Sequence, residues 1–214
     1  MLALLVAAGV SVRADAPLFL WHEEFIGPLD WASPNGDAPE TLARVYSLGR
    51  DASGPLLHAL HDRATSSKPR AIHFGKVFPG GGVPLEQVRA LRWRWRALRH
   101  PAVAADPWID LAASVYVVLE QPSLLHGGRG FKFGWLAKPA ARGHQRGLLE
   151  VPLRDDAASP EWKSESVDLC ALYRAEYREP CEGKRIQYLG VMTDADDTRS
   201  ISEADYAAFE LERR

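Results

Sequence analysis

Four oxygen-bearing side chains that could bind a cation lie close together near the C-terminal end of the sequence. In the stretch GVMTDADDTRS, Asp194, Asp196 and Asp197 are followed by Thr198. Calcium takes carboxylate oxygens as ligands, so the three aspartates are candidate ligands of a structural calcium ion. The alternative is a polar turn, in which Asp and Thr side chains form hydrogen bonds with their own backbone.

The same stretch also matches a catalytic pattern. An apolar strand followed by D-x-D-x-T is typical of haloacid dehalogenase-like phosphatases, in which the first aspartate attacks phosphorus and the second acts as acid and base. Asp194, Asp196 and Thr198 occupy these positions here. Such enzymes need a parallel α/β core, and the sequence shows no strand–helix alternation that would build one. A hydrolase that uses Asp194 and Asp196 is therefore the alternative interpretation.

A second group of candidate ligand contacts lies in the stretch LRWRWRAL. Successive side chains of a strand point to opposite faces, so Trp93 and Trp95 share one face while Arg92 and Arg94 share the other. In one interpretation the indoles lie in the core and the arginines cover a solvated face. In the other, these tryptophans and Trp135 stack on sugar rings in an open groove, and the arginines bind hydroxyls or carboxylates. The sequence leaves both interpretations open.

The overall charge limits the kind of partner. Lys and Arg total 26 and Asp and Glu total 28, which gives a formal net charge of -2. A nearly neutral chain has no global field that would attract nucleic acid, so we do not expect a nucleic-acid partner. Histidine-based chelation is not expected either, because His58 and His61 lie three apart on a predicted strand and point to opposite faces.

The first residues are typical of a secretory signal peptide. An apolar run over residues 2–10 precedes the small-x-small pattern ADA at residues 14–16. We therefore expect cleavage of residues 1–16 and a single domain over 17–214, located in the periplasm or secreted. No later stretch is apolar over the length of a membrane span.

Two cysteines support an oxidising location. Cys170 and Cys181 enclose the segment CALYRAEYREPC, and a disulfide between them would stabilise the fold by about 3 kcal/mol on chain-entropy grounds. The alternative is a pair of buried free thiols.

The dominant hydrophobic period is two, which predicts an all-β fold. Turn signals such as SPNGD, FPGGG and HGGRG separate the alternating stretches. Many short strands with such breaks indicate a β-sandwich or barrel. The predicted strands cover residues 42–48, 56–62, 71–78, 88–98, 109–120, 130–136, 148–153, 185–193 and 205–212.

One short helix is predicted near residues 167–177. The stretch VDLCALYRAEY places Leu169, Leu172 and Tyr173 on one face, and Ser166 could cap its start. Glu179-Pro180 would end it.

The chain resembles a family of bacterial exported proteins known as domain of unknown function 3047. The motifs that carry the resemblance are the W-x-W strand, the pattern D-x-A-A-x-V-Y-V-V that begins at Asp110, the helix DLCALYRAEY and the stretch VMTDADDT. Ser114 departs from the arginine expected in that family, and the cysteine pair is an addition. The resemblance implies a jelly-roll β-sandwich similar to galactose-binding-like domains, an architecture common among carbohydrate-binding modules. It implies no known activity.

These observations predict an exported, non-catalytic β-sandwich module that binds a carbohydrate or a cell-envelope glycan. The predicted ligand contacts are the tryptophans and arginines named above, with calcium at the aspartates. A hydrolase is one alternative. A structural envelope or protein-interaction domain that binds its partner through a sheet face is another.

Overall fold

The computed structural model describes residues 18–63, 71–121 and 128–214. The signal peptide predicted over residues 1–16 lies outside these ranges. Within them, no helix is both long enough and apolar enough to cross a membrane.

Two β-sheets packed face to face form the framework of the described structure. Two helices are present among the described residues, α1 (Pro39–Leu42) and α2 (Leu169–Tyr177), and a 3-10 turn covers Leu85–Gln87. The strands are β1 (Phe19–Glu23), β2 (Tyr46–Asp51), β3 (Gly54–Asp62), β4 (Phe74–Val77), β5 (Val83–Pro84), β6 (Val88–Arg99), β7 (Ala113–Glu120), β8 (Arg129–Trp135), β9 (Gly143–Gln145), β10 (Leu148–Arg154), β11 (Lys163–Val167), β12 (Arg185–Ile186), β13 (Tyr188–Met192) and β14 (Ile201–Arg213).

The chain passes repeatedly from one sheet to the other. The first sheet has the strand order β11-β6-β14-β3-β2, with β1 also paired to β14, and the second has the order β4-β13-β7-β8-β10-β9. Strands β8 and β10 run parallel, whereas their neighbours in the second sheet pair antiparallel. Short β5 and β12 form a separate pair. The predicted all-β sandwich and the short helix near residues 167–177 are confirmed.

Strand β14 is central in the first sheet and contains a bulge. Ile201–Tyr206 pairs with β3, whereas Phe209–Glu212 pairs with β1. Between these halves Ala208 has a φ of 51°, and the register against β6 shifts between Ala207 and Glu210. The bulge therefore lets one strand pair first with β3 and then with β1 on the same side.

The tryptophans of β6 lie in the core between the two sheets. Trp93 and Trp95 are 1% and 0% exposed, and Trp135 on β8 is 0% exposed. The ring centroids of Trp93 and Phe133 are 5.6 Å apart, and those of Trp95 and Trp135 are 5.8 Å apart. These contacts join one sheet to the other. The interpretation in which the indoles stack on a sugar in an open groove is wrong, because the two sheets shield them from solvent.

The arginines of β6 lie on the outer face of the first sheet. Arg92 Nε is 3.2 Å from Glu212 Oε2, a carboxylate on the neighbouring strand β14. The Arg94 guanidinium lies over the Trp162 ring, 4.9 Å from its centroid. These contacts agree with the interpretation in which the arginines cover a solvated face.

Helix α2 is capped by Asp168 and not by the predicted Ser166. The Ala171 backbone N–H donates to Asp168 Oδ1 at 2.9 Å. Ser166 lies in β11, where it pairs with Arg92 of β6. Both residue types make good N-caps, and the sheet pairing of Ser166 excludes it from the cap.

A disulfide fixes α2 to the segment that follows it. Cys170 and Cys181 are bonded with their Cα atoms 5.5 Å apart, which confirms the predicted pair. Arg178 ends the helix in the left-handed conformation with a φ of 56°. This conformation terminates helices and redirects the chain, here towards Cys181.

Several parts of the strand pattern differ from the prediction. Strands β1, β5 and β9 were not predicted, and the predicted strand at 109–120 begins only at Ala113. The stretch at residues 42–48 is helical up to Leu42, and β2 begins only at Tyr46. Pro39 favours the helix because its fixed φ fits the first helical position. Strand β11 was not predicted, because KSESV lacks apolar alternation, and it forms the edge next to β6.

Replacing Trp93 tests the packing of the core. We expect Trp93→Ala to lower the free energy of unfolding by about 3–5 kcal/mol, because it leaves a cavity between the sheets. Urea denaturation followed by circular dichroism measures this change. Leu48→Ala, at a leucine that is 45% exposed, is the control and should change it by less than about 0.5 kcal/mol. An equally small effect of Trp93→Ala would contradict the core position.

Removing the disulfide tests its contribution to stability. We expect the double variant Cys170→Ala/Cys181→Ala to unfold with roughly 2–4 kcal/mol less free energy than the wild type, because its unfolded chain is less constrained. The measurement is urea denaturation with and without reductant. Reductant should weaken the wild type and leave the variant unchanged. Equal stability of the two proteins without reductant would show that the bond contributes nothing.

Candidate functional site

A cleft of about 680 Å³ opens on the outer face of the second sheet. Side chains alternate along β7, so Val115 and Val117 enter the core while Tyr116 faces the cleft. Loops at both ends of the sheet supply the walls. The lining consists of Asn35, Ala71, His73, Ile109, Tyr116, Lys132, Gln145, Arg146, Leu148, Met192, Asp194, Asp196 and Asp197. Most of these side chains are polar, which suits a polar ligand.

One row of residues in register crosses the outer face of this sheet beneath the cleft. Glycines occupy both ends of the row, where a side chain would not fit. A Cβ on Gly190 would collide with the Tyr188 hydroxyl, and a Cβ on Gly143 would lie 2.7 Å from Glu150 Oε2. The row runs Gly75, Gly190, Tyr116, Lys132, Glu150 and Gly143.

The ring of Tyr188 extends over the end of this row that is formed by Gly75 and Gly190. A side pocket of about 230 Å³, lined in part by Tyr188 and Pro34, adjoins the cleft there. The Tyr188 hydroxyl is buried and has no hydrogen-bond partner among the described residues. Burial raises the pKa of Tyr188, so this hydroxyl keeps its proton. It is therefore a buried donor and acceptor whose hydrogen-bonding capacity is unused among the described residues.

A buried ion pair lies in the floor of the cleft. Lys132 Nζ is 3.1 Å from Glu150 Oε1, and the two side chains are 2% and 6% exposed. The same ammonium donates to the Trp108 carbonyl at 3.0 Å and lies 5.3 Å from the Trp108 ring centroid. Burial lowers the pKa of Lys132, and the Glu150 carboxylate opposes this effect. Because its charge is compensated locally, the pair fixes the floor and adds little net charge to the cleft.

Asp194 and Asp196 are in direct contact at one end of the cleft. The Asp196 backbone N–H donates to Asp194 Oδ1 at 3.2 Å, and the Ala71 N–H donates to Asp196 Oδ2 at 2.8 Å. Asp194 Oδ1 is also 3.3 Å from His61 Nδ1, which accepts a hydrogen bond from the Ala195 N–H. Burial, followed by the neighbouring Asp194, raises the pKa of Asp196 above its ordinary value. Asp196 therefore keeps a proton to a higher pH than an isolated aspartate does.

Three aspartates at this end of the cleft could hold a cation. One carboxylate oxygen from each of Asp110, Asp196 and Asp197 lies within 4.8 Å of the other two. Burial, followed by the charge of Asp196, raises the pKa of Asp197. Asp194, which the sequence also suggested as a ligand, is not part of this set. The structure places Asp110 with Asp196 and Asp197 in its stead.

The residues suggested by sequence divide between the two faces of the sandwich. All three aspartates, Asp194, Asp196 and Asp197, line the cleft. The tryptophans lie in the core, and Arg92 and Arg94 lie on the outer face of the first sheet, on the far side of the molecule from the cleft. The structure therefore does not bring the aromatic strand and the aspartates into one site.

Most of the cleft was not recognised from the sequence. Lys132 lies between the two core phenylalanines Phe131 and Phe133, so alternation places it on the opposite face and indicates no further role. Asp110 appeared only in the family pattern that precedes β7. The sequence does carry one signal for the cleft: the second face of β7, with Ser114, Tyr116 and Val118, is apolar enough to indicate cover on both sides.

Comparisons with known proteins give a likeness of fold only. No protein-family model and no curated protein matches the chain, so the resemblance to domain of unknown function 3047 stays a prediction. Among solved structures, the chain is similar to the X-ray crystal structure of Trichoderma harzianum endoglucanase 3 from family GH12, with a TM-score of 0.41 and 9% sequence identity. The match covers 79% of this chain and 83% of the endoglucanase chain. A likeness at this level does not bear on the ligand or activity of this chain.

Removing one partner of the buried ion pair tests its role in the cleft floor. We expect Glu150→Gln to lower the free energy of unfolding by about 3–5 kcal/mol, because it leaves the Lys132 ammonium buried without a counter-charge. The double variant Lys132→Met/Glu150→Gln should recover part of this loss. Urea denaturation of the two variants measures both effects.

An exposed ion pair gives the matched control. Arg174 Nη2 bonds Glu182 Oε1 between side chains that are 49% and 57% exposed, so Glu182→Gln should change the stability by at most about 1 kcal/mol. If Glu150→Gln were no more destabilising than Glu182→Gln, the ion pair would not hold the cleft floor.

Proposed function

We propose that this protein is a non-catalytic β-sandwich module that binds a carbohydrate or a cell-envelope glycan in the cleft on the second sheet. The observation that carries the proposal is the cleft itself. Its volume of about 680 Å³ falls within the roughly 300–1,000 Å³ of small-molecule sites. Its walls carry donors and acceptors on opposite sides of a floor that includes a small apolar cluster, which matches a ligand rich in hydroxyl groups.

The walls of the cleft supply the polar contacts. Asn35 and Arg146 are exposed side chains on loops and Gln145 is exposed at the end of β9, so they can reach a ligand without leaving other partners. Amide and guanidinium groups donate to hydroxyl oxygens, and the carboxylates on the opposite wall accept from hydroxyl hydrogens. A sugar offers both kinds of group on every ring.

The floor of the cleft supplies the apolar contacts. Tyr116, Tyr188 and Met192 form a small hydrophobic cluster on the outer face of the sheet, and Leu148 packs against it. The C–H faces of a sugar ring fit such a surface. Because these side chains stand on paired strands, the floor is rigid before the ligand arrives.

The disulfide supports the proposed location of the protein. Disulfides persist in oxidising compartments such as the periplasm and the extracellular space. The bond between Cys170 and Cys181 is therefore in keeping with a periplasmic or secreted protein, as is a glycan ligand.

The alternative of a hydrolase receives less support from the geometry. Glycosidases use two carboxyl groups about 5–9.5 Å apart on either side of the scissile bond. Asp194 and Asp196 instead touch each other on one wall, and Glu150 is paired with Lys132. The phosphatase motif would need a parallel α/β core. In the described sheets β8 and β10 run parallel, and the other strand pairs are antiparallel. The third alternative, a protein-interaction domain, gives the polar cleft no role.

Glycan binding by the full chain tests this proposal. We expect the protein to bind members of a glycan array, and Arg146→Ala to weaken that binding by about tenfold or more, because a hydrogen bond to a charged group contributes about 1.5–3 kcal/mol. Asn35→Ala should weaken it less. Arg94→Ala is the matched control, since it removes an arginine from the far face and should leave binding unchanged.

The other outcomes would each contradict the proposal in a different way. A folded protein that binds nothing across a broad array would exclude a glycan ligand. Loss of binding in Arg94→Ala alone would place the ligand on the first sheet. Turnover of nitrophenyl glycosides or phosphate esters that disappears in Asp194→Asn would favour the hydrolase.

A further inference from the structure

We propose that Asp110, Asp196 and Asp197 together bind one calcium ion at the edge of the cleft. The site involves two connecting segments, the loop before β7 and the loop between β13 and β14. It is independent of the glycan proposal, because the ion needs only residues of this chain and water.

The separation of the three carboxylates fits one calcium ion. Calcium–oxygen bonds are about 2.3–2.6 Å long, so two oxygens on the same ion lie at most about 5 Å apart. One oxygen from each of Asp110, Asp196 and Asp197 lies within 4.8 Å of the others. Oxygen ligands without histidine or cysteine favour calcium over zinc. Ligands on two loops suit the flexible coordination of calcium better than the strict octahedron of magnesium.

A buried oxygen without a partner points independently to a ligand. Asp110 is only 8% exposed, and its Oδ2 accepts hydrogen bonds from the backbone N–H and hydroxyl of Thr198. Its other oxygen, Oδ1, is buried and has no hydrogen-bond partner among the described residues. A buried anionic oxygen left unpaired is strongly unfavourable. A cation held between the three carboxylates would compensate it.

No cationic side chain in the described part of the chain forms a salt bridge with these three carboxylates. None of the salt bridges found there involves Asp110, Asp196 or Asp197. The nearby Lys138 ammonium instead donates to the carbonyls of Ala104 and Ala105. The negative charge of the three carboxylates is therefore left for an ion from solution.

A calcium ion bound at this position would have two effects. It would tie the loop before β7 to the loop before β14, in addition to the hydrogen bonds from Thr198 to Asp110. Because Asp196 and Asp197 also line the cleft, the coordination positions not filled by protein would face the cleft. Calcium takes six to eight oxygens, so water fills these positions in the free protein.

Calcium titration of the chelator-treated full chain tests the site. We expect isothermal titration calorimetry to show one calcium ion per chain, and calcium to raise the melting temperature in a way that chelator reverses. Asp197→Asn should weaken calcium binding by at least about tenfold, because affinity follows the charge of the ligands. Asp197 is exposed, so this variant should fold. Asp110→Asn, whose amide oxygen can still accept from Thr198, should also lose binding.

An exposed aspartate elsewhere gives the matched control. Asp155 lies in the loop between β10 and β11, and Asp155→Asn should bind calcium as the wild type does. The proposal is overturned if the wild type shows neither heat nor a shift in melting temperature up to about 10 mM calcium, beyond the range of protein calcium sites. Wild-type affinity in Asp197→Asn would also overturn it. Magnesium bound as tightly as calcium would overturn the choice of ion. Failure of glycan binding would leave this result unaffected.

Discussion

The packing of aromatic rings between the two sheets is the interaction on which the rest of the structure depends. Phe133 and Trp135 of β8 pack against Trp93 and Trp95 of β6. Side chains of a strand alternate strictly, so the rings that enter the core force Lys132, between them, to the outer face. A shift of one residue in β8 would bury the lysine between the sheets. The core and the floor of the cleft are therefore determined by the same alternation.

The alternation in β8 places a charged side chain on a part of the outer face that is shielded from solvent. Lys132 is turned away from the core but is still covered by Trp108, so it needs a counter-charge. Glu150 provides it from the adjacent position on β10. Farther along the same row, glycines leave space for the ring of Tyr188. A polar cleft with a rigid floor results, and the chemistry of the site follows from the order of residues across the strands.

Alternation in the sequence was sufficient to assign faces but not to assemble the site. It grouped Trp93 with Trp95 on one face of β6 and Arg92 with Arg94 on the other, but it left open which face enters the core. It could not pair Asp110 with Asp196, since the two are far apart in sequence and meet only because β7 lies beside β13. It also missed β11, which is polar and is stabilised by its antiparallel pairing with β6. Ser166 was a reasonable cap on local grounds, and pairing with β6 excluded it.

The central place of β14 in the first sheet affects the order in which the chain can fold. Strands β2 and β3 form one ribbon, β6 and β11 form another, and β14 joins the two. Since β14 follows all four in the sequence, a ribosome must release most of the polypeptide before the sheet can close. Until then the ribbons expose unpaired strand edges, which can form backbone hydrogen bonds with strands of other chains. Such long-range closure makes folding slow and exposes the nascent chain to aggregation.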